Sequence, residues 1–93
     1  MATRNTSGSF TATGTSTPVG PRGDSMDLSI SGTFVGTIVL QRSHDDGATW
    51  NDVTDGSFTA AVEKPILTAS PAFDYRLSYT HTSGTVVYYL GTK

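Results

Sequence analysis

The sequence predicts an all-β protein, an antiparallel β-sandwich (jelly-roll-like or Ig-like) of about seven to nine short strands with a flexible N-terminal arm. Three observations carry that reading. Apolar and polar residues alternate in several short runs, most cleanly Met26, Leu28 and Ile30 against Asp27, Ser29 and Ser31, the period of a strand with one buried face. Turn formers separate these runs at intervals of roughly ten residues. Threonine, serine and aromatic residues suit a pleated surface, whereas leucine, alanine, glutamate and lysine are too sparse to build helices.

Taken in order, Met1 to Thr6 is polar and offers nothing to bury. Gly8 to Thr13 alternates weakly, with Phe10 and Ala12 on one face; an arm laid on a neighbour, an edge strand and an unfixed tail all fit it. Gly14 to Asp24 is rich in proline and glycine and reads as a loop or a short irregular edge. The expected division is therefore an arm and loop over residues 1–24 and a sandwich domain over residues 25–93.

Ser25 to Ser31 is the first clear strand. After a turn at Gly32, Thr37 to Arg42 places Ile38 and Leu40 on one face and Val39 on the other. The polar turn from Ser43 to Trp50 leads into Thr49 to Thr54, and the pair Asp55-Gly56 signals a further hairpin turn. Phe58, Ala60 and Val62 make the next alternating run, which Glu63-Lys64-Pro65 is expected to break. Beyond the turn Ser70-Pro71-Ala72, residues Phe73, Tyr75, Leu77 and Tyr79 face one way. The turn Thr82-Ser83-Gly84 then leads to Val86, Tyr88 and Leu90, a closing hairpin.

A chain of 93 residues builds one two-layer core, which excludes a multidomain enzyme. A net charge of -2 with scattered basic residues gives no field to gather a polyanion, so no nucleic-acid partner is expected. With no cysteine there is neither a disulfide nor a thiolate metal site, and stability rests on packing or assembly. No window approaches the ~20 apolar residues of a membrane span and the N-terminus lacks an apolar signal core. The expectation is a soluble protein made without Sec export and without a membrane partner.

The sharpest local signal is Ser43-His44-Asp45-Asp46-Gly47-Ala48-Thr49-Trp50, which matches the Asp box at Ser43, Asp45, Gly47, Thr49 and Trp50. Short carboxylates bond nearby amides and glycine accepts positive φ, so turn chemistry accounts for these residues. In sialidases and other propellers the similar motif is a structural hairpin remote from catalysis. One copy in a short chain excludes a propeller, and Trp50 as a sugar-stacking platform is the functional alternative.

Other constellations have plain readings. Asp45, Asp46, Asp52 and Asp55 do not follow the spacing of a calcium loop, and no pocket is signalled that would make two of them an acid/base pair. No metal, cofactor or catalytic residue is therefore assigned. Arg22-Gly23-Asp24 spells an integrin tripeptide that a turn explains, and Asn5-Thr6-Ser7 is a glycosylation acceptor without an export signal. His44 and His81 have no nucleophile at a readable spacing. Alternation turns Tyr75, Tyr79 and Tyr88 inward and Tyr89 outward.

Leu28 to Gly91 resembles a group of small proteins encoded among the structural genes of tailed bacteriophages. The similarity lies in Ser31-Gly32-Thr33-Phe34, the strand Gly36 to Ser43 running into the Asp-rich turn, Tyr75-Arg76-Leu77, and Thr82-Ser83-Gly84-Thr85. Asp46 stands where those proteins usually have glycine. The resemblance implies a virion structural protein without enzymatic activity. The expected role is a capsid decoration or cement protein, a homotrimer on the particle surface that binds the major capsid protein and is made in the host cytoplasm. Its expected capsid-contacting arm is Ser9, Phe10, Thr11, Ala12 and Thr13, docking by strand addition. A glycan-binding module of a tail or head fibre is the alternative.

Overall fold

A computed structural model describes residues 4–20, 25–66 and 73–91. Among them are eight strands: β1 (Asn5–Phe10), β2 (Gly14–Thr15), β3 (Met26–Ser31), β4 (Phe34–Ser43), β5 (Asn51–Phe58), β6 (Val62–Ile66), β7 (Asp74–Gly84) and β8 (Val86–Gly91). They form two antiparallel four-stranded sheets, ordered β1-β8-β3-β6 and β2-β7-β4-β5. The first strand pairs with the last, the second with the seventh, the third with the sixth and the fourth with the fifth. That nested pairing is the wrapping of a jelly roll, so of the two sandwich types expected the jelly-roll-like one is observed.

Alternation along the strands builds the core. Met26, Leu28, Ile30, Val86 and Leu90 come from one sheet and Ile38, Leu40, Tyr75, Leu77 and Tyr79 from the other, all buried. Each such side chain stabilises the fold by about 1.5–3 kcal/mol when fully removed from water. Tyr79 is wholly enclosed, with Phe34 edge-on to it and Phe10 tilted against it. Its hydroxyl donates to the Val35 carbonyl at 3.2 Å, which makes burial of the phenol tolerable.

The N-terminal segment departs from expectation. Asn5–Phe10 is not a separate arm but an edge strand, matched to β8 at six successive positions. Phe10 anchors it, buried in the core and stacked on Tyr88 at 4.6 Å. The stretch that follows is an irregular edge rather than a free loop. Ser16 N–H donates to the Leu77 carbonyl at 2.8 Å, while Leu77 N–H donates to Ser16 Oγ at 2.9 Å. A hydroxyl thus stands in for a ladder carbonyl. Val19 exchanges two main-chain bonds with Tyr75 and is completely buried. The described part of residues 1–24 is woven into the sandwich, because Phe10 and Val19 supply the apolar surface that the polar run around them lacks.

Three expected turns or breaks are also strand: Thr82-Ser83-Gly84 ends β7, and because β7 and β8 lie in different sheets they do not form the expected closing hairpin. Thr54-Asp55-Gly56 lies within β5, where the register against β4 jumps: Val39 faces Ser57 but Gln41 faces Asp52. The extra residues form a bulge, and Gly56 sits so close to Leu40 that an added Cβ would lie 3.1 Å from that side chain. Ala60 consequently falls in the link and Val62 in the next strand. Glu63-Lys64-Pro65 does not break a strand but makes up most of β6, with Pro65 opposite Asp27. An edge strand tolerates the missing N–H of proline on its solvent side. The expected turn at Ser70-Pro71-Ala72 and the tripeptide Arg22-Gly23-Asp24 lie outside the described residues.

Candidate functional site

Strand β4 ends on Ser43, and the chain reverses there through the Asp-rich turn before β5. Ser43 is buried, and its hydroxyl accepts the Gly47 N–H at 2.8 Å and the Asp45 N–H at 3.3 Å. The same hydroxyl donates to Asp45 Oδ1 at 2.7 Å, and that oxygen also accepts the Thr49 N–H at 2.9 Å. Two short side chains therefore hold three amides of one turn. The reversal needs consecutive left-handed residues, Asp46 at φ 58° and Gly47 at φ 91°. Glycine meets that without strain, and aspartate is among the few other residues that do so at modest cost.

The bonds from Ser43, and then from the Thr49 amide, hold the Asp45 carboxyl well below its ordinary range, at about 2. Such a group stays ionised near neutral pH and is engaged by its own turn. It is therefore unsuited to deliver a proton, since a general acid needs a raised pKa.

Trp50 follows the clasp and is only half-buried. The Arg76 guanidinium lies over its ring, 4.4 Å from the centroid. Arg76 Nε donates to Gln41 Oε1 at 2.9 Å, and Gln41 Nε2 donates to Asp52 Oδ1 at 2.9 Å. A band of Trp50, Arg76, Gln41 and Asp52 thus crosses three strands, joining opposite charges through an amide. Arg76 and Gln41 could not be singled out in the sequence. The only signal was their place on the polar side of two alternating strands, which becomes informative once Gln41 is known to face Arg76.

The predicted hairpin residues Ser43, Asp45, Gly47, Thr49 and Trp50 are brought together as one turn. Of the predicted capsid-contacting residues, Ser9 and Phe10 belong to β1, while Thr11, Ala12 and Thr13 form an exposed bend beyond it. Thr13 is tied back, its Oγ1 accepting the His81 N–H at 2.9 Å. His81 stands edge-on to Tyr79, with Nε2 3.2 Å from the Gly84 carbonyl, and His44 is exposed. Tyr75 and Tyr79 are in the core and Tyr88 packs against it, as alternation expects. Among the described residues, no three histidine or acidic side chains converge to hold a metal ion.

Comparison with known proteins finds no match for the chain: no family model matches it, and no characterised protein or solved structure does so either.

Proposed function

We propose that the protein is a structural component of a tailed-phage particle, a decoration or cement protein that binds the major capsid protein on the head exterior and ties neighbouring capsomers together. The observation that carries this reading is a compact jelly roll in which the most motif-like residues, Ser43 and Asp45, are used up in holding their own turn. Jelly rolls recur in viral capsid and lectin domains. A fold does not fix a function, but a small cysteine-free β domain suits a shell protein. Weak contacts made by several linked copies would add through avidity.

Contact with the capsid falls to the exposed bend Thr11-Ala12. Removing residues 1–13 would take Phe10 out of the core, so that deletion cannot separate docking from folding. The cleaner test is cosedimentation with undecorated heads. Wild type should saturate them, and Thr11→Glu/Ala12→Glu should lose occupancy while melting normally. Wild type that leaves such heads bare would refute the proposal.

A second reading, a glycan-binding module of a tail or head fibre, is favoured by one observation: a half-exposed tryptophan beside hydrogen-bonding Arg76, Gln41 and Asp52. Against it, Arg76 already occupies a face of the ring. A glycan array on which wild type binds and Trp50→Ala does not would favour this reading over the first.

A further inference from the structure

The four outermost strands of the sandwich are not alike. Sheets expose unpaired main-chain groups along their edges, and natural proteins blunt them with charge, proline, bulges or shortness. β6 carries exposed Glu63, Lys64 and Pro65. β5 carries exposed Asp52 and is kinked by the bulge opposite Leu40. β2 is two residues long. β1 has none of these protections: Asn5-Thr6-Ser7-Gly8-Ser9-Phe10 is uncharged, contains no proline, and keeps an unbroken register with β8 over six residues. Among the described residues its other edge pairs with no strand.

We propose that this edge is a self-association site, where β1 of one chain pairs antiparallel with β1 of a second copy about a two-fold axis. The occupant follows from the chemistry of the strand. An isologous contact sets each residue against its own kind or a near neighbour, so a strand can pair with itself only if it brings no like charges together. β1 meets that condition. Residues facing each other across the axis must share a face of the sheet, so the pairing centres on Ser7 or on Gly8. In the first register the nearest charge, Arg4, faces Phe10 of the other copy; in the second it faces Ala12. Neither opposes two cations. The exposed side chains Ser7 and Ser9 are small enough to let a second backbone approach.

The result is one continuous sheet through two sandwiches, joined by main-chain hydrogen bonds. An isologous edge closes at two copies, so this proposal gives a dimer where the decoration role leads us to expect a trimer. It is independent of where the protein acts.

Sedimentation equilibrium between about 1 µM and 1 mM tests it on the intact chain. The mass should move from one chain toward two, and the amides of Asn5–Phe10 should exchange more slowly as concentration rises. The variant Ser7→Lys/Ser9→Lys puts lysines near each other across the axis in either register, and should remain monomeric with an unchanged melt. A wild-type chain that stays monomeric, a trimer, or a lysine variant that still dimerises would overturn the proposal. Should the lysine variant fail to fold, the concentration dependence of wild-type β1 exchange decides alone.

Discussion

The two ends of β4 are closed by different physics. At its C-terminal end, Ser43 and Asp45 satisfy turn amides with side-chain oxygens, and the chain's polar atoms do the work of reversal. At its N-terminal end the β3–β4 and β7–β8 links meet through the backbone, with Thr85 N–H donating to the Thr33 carbonyl at 2.9 Å and Gly84 at φ 87° allowing the close approach. There the support comes from beneath, from Tyr79 with Phe10, Phe34 and His81 around it. One end relies on hydrogen bonds at the surface and the other on buried aromatic area. They should therefore respond to different insults.

The largest difference should appear in the aromatic end. Tyr79→Ala empties a fully enclosed site and is expected to cost about 3–5 kcal/mol by chemical denaturation. A loss under ~1 kcal/mol would mean that the cluster is not what holds that end. Next comes Gly84→Ala, which drives a Cβ toward the Thr33 carbonyl in a left-handed conformation. It should cost about 2 kcal/mol, seen as a lower denaturation midpoint.

At the clasp, Ser43→Ala should cost only ~1 kcal/mol, since water reaches the turn. Its sharper signature is electrostatic: the Asp45 carboxyl, followed by NMR titration, should leave its value of about 2 and return toward the ordinary range. The pKa is depressed in the folded chain, so the clasp stabilises above the unfolded value of ~3.9. That contribution is lost as pH falls through about 2. Ser43→Ala should erase this part of the acid sensitivity, and an unchanged Asp45 titration would disprove the clasp. The smallest effect is expected from Asp46→Gly, which relieves a left-handed non-glycine residue. It should raise stability by ~0.5 kcal/mol, read as a slightly higher melting temperature.

The same contrast explains what was legible in the sequence. A side-chain clasp announces itself, because Ser43, Asp45, Gly47, Thr49 and Trp50 are needed by type and spacing. Strands β3 and β7 were equally legible, since each has one face in the core and alternates accordingly. Thr54-Asp55-Gly56 misled because the residues of a hairpin turn also suit a bulge, and only the partner strand distinguishes them. Glu63-Lys64-Pro65 misled because an edge strand accepts proline on its open side. Ser16 and Val19 were hidden for another reason. Their structure comes from β7, some sixty residues away, with which they exchange hydrogen bonds. In the candidate site the clasp could be read from its own octapeptide, but the contact of Trp50 with Arg76 arises only when β4 and β7 are set side by side.

The nested pairing also bears on how the molecule is made. β8 lies between β1 and β3 and bonds to both, so the first of the two sheets has no centre until Val86–Gly91 is available. Of the main pairings, only β4 with β5 joins consecutive strands. On the ribosome, then, the β4–β5 hairpin can form early, while β3 waits for β8, the last of the described strands to emerge. Closure of such distant segments is slow, on the order of milliseconds to seconds, and during that wait the nascent chain is most exposed to sticking to its neighbours.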